Sequence, residues 1–372
     1  MSAAAYGDHR GDLDGREHPG LLRAIDMVAP GSALREGVDN IIHARTGGLV
    51  VLGDTEDISF LFSGGIKLDV DYSPALLYQL AKMDGAIVLD AMARQIRWAN
   101  VQLMPDPTIH SSETGTRHRT AERVSRQTDA LVISVSARRD VVTLYIQACK
   151  YILREIPMVL SKANQGLATL DRYRERFDQA TGRLTDSELS GNPATLHEVL
   201  TAIQRAELVL RTAAEVERYI IELGSEGRLI EMQLEDTVVG VHAERAALIR
   251  DYGADAADHL VDGILSGLGG LPHQDLLDFG RMAEILGYDR KVNAHEVTVS
   301  PRGYRVLNRI PRLPRLIAET LIKRFGGLSE IIAASRQELA ATEGVGEGRA
   351  DEVRQGLRRL IEIDAAERYM QT

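Results

Sequence analysis

The chain has 372 residues, a formal net charge of −10, 5% aromatic residues and one cysteine. That length supports two or three domains with a real core in each, and scarce aromatics beside plentiful Leu, Ile, Val and Ala favour helix and buried parallel or mixed sheet over an aromatic-rich sandwich. Cys149 alone excludes an internal disulfide and a cysteine-built metal cluster and suits a reducing, cytoplasmic setting, while the absence of any apolar run near the roughly 18 residues that span a bilayer, or of a signal peptide, excludes a membrane role.

Residues 1–18 are small, polar and Gly-rich and read as a disordered tail. An amphipathic stretch from Leu21 to Ala44 precedes the apolar run Gly48 to Gly53 (GLVVLG), which reads as a buried strand. After a polar turn come Ile58 to Phe62 and a break at Gly64 and Gly65. Ser73 to Met83 has helical spacing, with Ser73-Pro74 as its start signal. Strands follow at Ala86–Asp90, Ile96–Leu103, Ala130–Ser136 and Val141–Gln147, with the helical segment RHRTAERVSRQ among them. This mixture predicts an α/β domain over 19–150 built on one central mixed sheet.

From about 151 to 285 strand signals vanish. Two long helical patterns meet near Gly224–Gly227, and Leu200, Ile203, Leu208, Leu210 and Val216 mark apolar faces. The reading is an all-α linker domain over 151–290 that spaces or oligomerises the chain. Residues 291–372 are helical, with turns at Ile310–Pro314 and Gly344–Gly346. Charge is distributed unevenly here: 291–372 holds 14 Lys/Arg against 11 Asp/Glu, and 302–324 holds seven basic residues and one acidic. An acidic body with a basic end can repel DNA with one part and hold it with the other.

Two segments carry candidate chemistry. Asp84-Gly85-Ala86 lies between a helix and a strand, where a carboxylate can hold Mg²⁺ or Mn²⁺ and help deprotonate a hydroxyl, and where glycine permits close approach to the backbone. Taken alone it is an ordinary turn. In Glu113–Arg123 (ETGTRHRTAER), Arg117, His118 and Arg119 stand at a helix start between Thr116 and Thr120. Free backbone N–H groups, two guanidinium forks and two hydroxyls make a polyphosphate cradle; the plain alternative is a solvated basic turn. No GxxxxGK[ST] loop occurs, which excludes a P-loop as the source of any ATP use.

Together, MDGAIVLD (Met83 to Asp90), the stretch from Ala99 to Arg123 and TDALVISVSARRDVVTLY (Thr128 to Tyr145) resemble the diadenylate cyclase domain of the DisA family. GGLVVLGD (Gly47 to Asp54) fits that family's opening strand, and the similarity continues through the helical middle to the C-terminal turns. His110-Ser111 departs from the family pattern, within a loop. The resemblance implies condensation of two ATP into cyclic di-AMP and two pyrophosphates by two facing domains, hence a homo-oligomer, an octamer by family precedent. It implies that Asp84 holds the metal and primes the 3′-hydroxyl. Arg117, His118, Arg119, Thr116 and Thr120 would bind the phosphates. Gly85, Ala86 and Leu103 would contact the nucleotide, with Ser136 behind them.

The C-terminal turns look like paired helix–hairpin–helix motifs, in which the N–H groups of a tight turn at a helix start bind DNA phosphates without reading bases. Gly344-Val345-Gly346 fits that pattern, and Ile310–Pro314 fits a Pro-containing version. Arg312, Arg315, Lys323, Arg324 and Arg349 would add phosphate contacts, to branched DNA by family precedent. A non-catalytic DNA-junction binder and a cyclic di-AMP receptor are the alternatives; retention of Asp84 with the Arg-His-Arg triplet argues against both.

Overall fold

A computed structural model describes residues 19–137, 140–147, 149–254 and 258–370; the tail expected over 1–18 lies outside them. The chain forms two compact units, one of residues up to Gln165 with Val216–Met232, the other of Gly166–Glu215 with Gln233–Thr372.

The first unit opens with helices α1 (Pro19–Met27) and α2 (Ala33–His43), the latter capped by the Ser32 side chain, which accepts from the Arg35 N–H. The amphipathic stretch expected from Leu21 to Ala44 is therefore two helices. Pro30 and Gly31, the latter at φ +90°, interrupt it. Strand β1 (Gly48–Leu52) and the single turn α3 (Thr55–Ile58) follow, then β2 (Phe62–Ser63), β3 (Ile66–Asp71) and α4 (Pro74–Leu80). After these come β4 (Ala86–Leu89), β5 (Gln95–Leu103), α5 (Thr116–Gln127), β6 (Leu131–Val135), β7 (Val142–Ile146) and β8 (Cys149–Ile152). The eight strands form one sheet in the order β2-β5-β4-β1-β6-β7-β8, with β3 also on β5. Among the described residues only β1 and β4 pair in parallel, so the sheet is mixed.

Alternate strand residues point to opposite faces, and both faces of the sheet's centre are covered. Val50, Leu52, Ile87, Leu89 and Ile133 pack under Leu21, Val38, Ile41 and Leu77 of α1, α2 and α4. Leu49, Val51, Val88, Val132 and Tyr145 pack against Ala121 and Val124 of α5. Double coverage explains why β1 and β4 read as uninterrupted apolar runs and why β6 is apolar but for the buried Ser134. Strand β3 escaped sequence reading because it is an exposed edge carrying Lys67 and Asp69, which block further pairing.

Helix α6 (Ile156–Ser190) is 35 residues long, and Val159, Ala163, Leu167, Leu170, Phe177 and Leu184 form its buried stripe. Next come β9 (Ala194–Thr195), α7 (Leu196–Leu223), a 3₁₀ turn at Gly224–Gly227, α8 (Arg228–Val238), α9 (Val241–Tyr252), α10 (Asp258–Gly269) and α11 (Phe279–Ile285). The second of the two expected helical patterns is thus broken at Gly240, which sits at φ +78°. Of the apolar positions expected on α7, Leu200, Ile203 and Val216 are buried, but Leu208 and Leu210 are only half-buried; Val209 takes the core place between them. Strand signals also persist past 151: β8 runs to Ile152, and β9 pairs antiparallel with β10 (Thr298–Val299).

The remaining helices are α12 (Tyr304–Asn308), α13 (Arg315–Phe325), α14 (Leu328–Ala333), α15 (Arg336–Ala340) and α16 (Gly346–Met370). Val306, Leu307, Ile317, Leu321, Ile331, Leu339, Val345 and Val353 form their common core. Arg305 lies inside this unit with its side chain fully buried, bonded to Glu188 at 2.6 Å and to Glu244 at 2.7 Å. Burial opposes its charge, yet the two carboxylates outweigh burial and hold its pKa above the usual arginine value. Asp251 accepts the N–H groups of Gly303, Tyr304 and Arg305 at 2.7, 2.7 and 2.9 Å, capping α12. In return Arg302 donates to the Arg250, Asp251 and Gly253 carbonyls at the end of α9. Two of the seven basic residues counted over 302–324 are therefore consumed by the fold and offer nothing to a partner. Among the described residues no helix is long and apolar enough to cross a membrane.

Candidate nucleotide site and C-terminal turns

The strand register gathers the expected N-terminal site residues at one end of the sheet. Parallel pairing aligns Val50 with Ile87, and antiparallel pairing sets Gly48 opposite Val135 and Ala86 opposite Val101. The starts of β1 and β4 therefore share an edge with the ends of β5 and β6, where Asp84, Gly85, Ala86, Leu103 and Ser136 lie. Helix α5 brings its first turn to the same place: Arg117 Nη2 is 4.0 Å from Asp84 Oδ1.

The Asp84 side chain is fully exposed. Gly85 has φ +105°, and a Cβ there would meet the Asn100 carbonyl carbon at 2.9 Å and the Val101 oxygen at 3.0 Å. Glycine is thus required by the close approach of β5, a reason beyond the ligand access expected from sequence. The Ala86 and Leu103 side chains belong to the core, so only their backbones are available to a ligand. Ser136 is half-buried, and its N–H donates to the Val141 carbonyl at 2.9 Å.

Gly115 caps α5 without a side-chain hydrogen bond, so the cap residue itself leaves the first-turn amides near Thr116 and Arg117 unclaimed. Arg117, His118 and Thr120 are half-buried, and Thr116 and Arg119 are exposed. Arg119 turns back toward its own loop, donating Nε to the Glu113 carbonyl at 3.4 Å and Nη2 to that of Thr114 at 3.2 Å. His118 Nδ1 is 2.9 Å from the Tyr145 hydroxyl, which donates to Glu113 Oε1 at 2.8 Å; Lys150 reaches the same carboxylate at 2.6 Å.

Sequence reasoning missed several supports. A Cβ on Gly47 would stand 2.7 Å from Arg117 Nη1, so glycine, at φ +69°, leaves the space the guanidinium occupies. Glu122 is buried and accepts from the Ser111 hydroxyl at 2.5 Å and the Ser112 N–H at 3.1 Å. Arg123 and Arg126 donate to the Ile109 and His110 carbonyls. Glu122, Arg123 and Arg126 thus lace the preceding loop to α5, and the His110-Ser111 departure keeps a hydroxyl for Glu122. The signal was the spacing: Glu122, Arg123 and Arg126 share the face next to that loop.

In the second unit the turn between α12 and α13 holds Arg312 at φ +63°, with Leu313 half-buried beneath it. The turn between α15 and α16 holds Gly344 at φ +76° and Gly346 at φ +48°, with Val345 buried. Arg312 and Gly344 thus occupy the same backbone state. Pro314 stands where the second turn has Gly346 and removes one amide donor from the first. Arg312 and Lys323 are exposed. Arg315, Arg324 and Arg349 are exposed as well, and each also bonds at the surface of the fold: Arg315 Nε with Glu319 at 2.7 Å, Arg324 Nη1 with Thr342 Oγ1 at 3.0 Å, and Arg349 Nη1 with the Gly344 carbonyl at 2.6 Å.

Comparison with known proteins adds family to geometry. Residues 35–149 match the family model "DisA bacterial checkpoint controller nucleotide-binding", and residues 153–295 match "DisA bacterial checkpoint controller linker region". The chain is 49% identical to the DNA integrity scanning protein DisA of Carboxydothermus hydrogenoformans, over 92% of this chain and 97% of that one. It is 47% identical to that of Symbiobacterium thermophilum, over 95% and 99%. Among solved structures, DacA from Staphylococcus aureus is similar over 36% of this chain and 88% of its own, at 22% identity and a TM-score of 0.29.

Proposed function

This chain belongs to the DisA family, and from that premise we propose that it condenses two ATP into cyclic di-AMP with release of two pyrophosphates, under the influence of bound DNA. The observation that supports the reading most directly is the meeting of Asp84 and Arg117 at 4.0 Å, from separate segments, beside the first turn of α5. One acid and one phosphate-binding base at an exposed sheet end suit a triphosphate better than an apolar ligand. In the reaction each 3′-hydroxyl oxygen bonds to the α-phosphorus of the opposite ATP. The bond from that phosphorus to the bridging oxygen breaks, pyrophosphate leaves, and the hydroxyl proton is released.

Mg²⁺ or Mn²⁺ fits the donor set. Asp84 is exposed, and no cluster of three or more His, Cys, Asp or Glu that could hold a metal occurs among the described residues. One carboxylate completed by substrate phosphates and water is the usual way such a cation is held. Asp84 would hold such a cation, which would supply Lewis-acid activation of the attacking hydroxyl and offset phosphate charge. This chain's own residues do the rest: Arg117, Thr116, Thr120 and the first-turn amides of α5 orient the triphosphate, and Arg117 and His118 stabilise charge on the departing pyrophosphate. Arg119 joins them if it releases its loop carbonyls. Gly85, Ala86 and Leu103 contribute backbone groups to the adenosine, with Ser136 behind. One domain supplies half the reacting groups, so two copies face one another within a homo-oligomer, read here as an octamer.

We read 19–150 as the cyclase, 151–290 as the linker and 291–372 as a helix–hairpin–helix domain that binds branched DNA phosphates. Its contacts are the Gly344 and Gly346 turn with Arg349, and Arg312 and Arg315 at the first turn. Incubating the purified protein with ATP and Mg²⁺ or Mn²⁺ and resolving products by mass tests the reading; cyclic di-AMP is expected, and hydrolysis products alone refute it. Asp84→Asn should leave fold and assembly intact and lower synthesis by roughly a thousandfold or more, several kcal/mol of barrier.

A further inference from the structure

His118 is the middle residue of the phosphate-binding triplet, and three side chains from outside its helix stand in line behind it. Its Nδ1 lies 2.9 Å from the Tyr145 hydroxyl on β7, that hydroxyl is 2.8 Å from Glu113 Oε1, and Lys150 on β8 holds the same oxygen at 2.6 Å. Tyr145 is buried in the sheet core, and its ring meets the imidazole edge-on at 6.2 Å between centroids. The opposite edge of the imidazole is turned to the helix start: its Cδ2 lies 3.6 Å from where a Cβ on Gly115 would stand.

The direction of the hydrogen bonds follows from proton inventory. Burial raises the Glu113 pKa, but the Lys150 ammonium and the Tyr145 hydroxyl outweigh it, so the carboxyl stays below its usual range and ionised. An ionised carboxylate only accepts. Burial, reinforced by Glu113, pushes Tyr145 above its ordinary value, so the phenol keeps its proton. That single proton goes to Glu113, and the phenol oxygen is left to accept from the ring. Nδ1 must therefore carry hydrogen, whether the imidazole is neutral or charged.

We propose that Tyr145 and Glu113 are positioning residues for His118, fixing its ring and keeping a proton on Nδ1, so that Nε2 is the nitrogen that exchanges hydrogen bonds with nucleotide phosphate. Glu113 serves the triplet twice, since its backbone carbonyl also accepts from Arg119 Nε at 3.4 Å. The inference rests on the cyclase reading for what Nε2 meets, but the protonation pattern is a property of the protein alone.

The test therefore has two arms on the full-length protein. Magic-angle-spinning NMR of ¹⁵N-histidine-labelled protein, with His118 signals identified by their loss in His118→Ala, reads the tautomer directly. The wild type should show Nδ1 protonated. Glu113→Ala frees the phenol proton to point at the ring and should move the neutral form toward protonation at Nε2, while Tyr145→Phe should leave a mixture. In the kinetic arm Tyr145→Phe, which keeps the ring in the core, should lower kcat about 10- to 100-fold, as loss of outer supports does elsewhere. Its KM for ATP should change by less than about threefold, because the triphosphate's other contacts remain. A neutral wild-type ring protonated at Nε2, an unchanged tautomer in both variants, or an unchanged kcat in Tyr145→Phe overturns the proposal. A wild type that has the Nδ1-protonated ring yet makes no cyclic di-AMP upholds the positioning and sinks the cyclase reading instead.

Discussion

Replacing Arg305 by Met should be among the most damaging single changes in the second unit. The guanidinium donates Nε to Glu244 at 2.8 Å, Nη1 to Glu188 at 2.6 Å and Nη2 to the Thr181 carbonyl at 3.1 Å. Methionine fills much of the volume but leaves Glu188 buried, with only the Tyr252 hydroxyl at 2.6 Å to stabilise it; its Oε2 already has no hydrogen-bond partner. Glu244 is less affected, being partly exposed and within 3.7 Å of Arg309. Breaking a buried pair by removing one partner costs about 3–5 kcal/mol, because the survivor is an uncompensated charge. We therefore expect Arg305→Met to destabilise by about 3 kcal/mol or more. Adding Glu188→Gln should recover about 1–3 kcal/mol, since a neutral amide tolerates burial better than a carboxylate. The assay is urea unfolding followed by far-UV circular dichroism. Trp98, the chain's one tryptophan, reports the first unit by fluorescence in the same titration. A loss below about 1 kcal/mol for the single variant, or no recovery in the double, refutes the account of Arg305 as a charge held only by its partners.

Arg117→Ala should weaken a non-hydrolysable ATP analogue by about 1.5–3 kcal/mol and cyclic di-AMP less, because the product lacks β- and γ-phosphates; equal losses by calorimetry would misplace Arg117. Arg312→Ala should weaken DNA binding by a similar factor for every base sequence and reduce the slope of log K against log salt by about one phosphate contact, whereas a sequence-dependent loss contradicts phosphate recognition. Burial pushes the Asp251 carboxyl up to about 7, with the Glu188 charge adding to it and the amides of Arg305 and Tyr304 opposing. The folded protein then keeps a proton that the unfolded chain releases near 3.8, so stability from this site falls as pH rises from about 4 to 7. Asp251→Asn, which cannot titrate, should flatten the dependence of Tm on pH in that window, and parallel wild-type and variant profiles would count against the shift.

Point substitutions are the right probes of the C-terminal segment. Cutting the chain after residue 290 would remove Arg305 from Glu188, the α12 amides from Asp251, and β10 from β9. Any loss of DNA response would then be confounded with loss of the second unit's packing.

The sequence by itself carried most of the first unit's element types and singled out the candidate residues that the fold gathers at its sheet end. Both depend on local information: apolar runs for strands covered on both faces, a Ser-Pro start for α4, and an Arg-His-Arg triplet within one helical turn. It did not reveal the edge strand β3, whose exposed, charged residues lack a core pattern. Nor could it separate cations by use. Arg302, Arg305, Arg312 and Lys323 look alike in a basic run, yet two are committed to Asp251, Glu188 and the end of α9 while the others stay exposed. The tertiary structure alone decided that, because a charge's role depends on which distant carboxylates and carbonyls the fold brings within hydrogen-bond reach. The same holds at the nucleotide site. Tyr145 and Glu113 read as an ordinary strand residue and a loop acid until the pairing of β6 with β7 sets the phenol behind His118. Sequence spacing reports neighbours along a helix or strand, and cannot report which side chains from other elements share a proton.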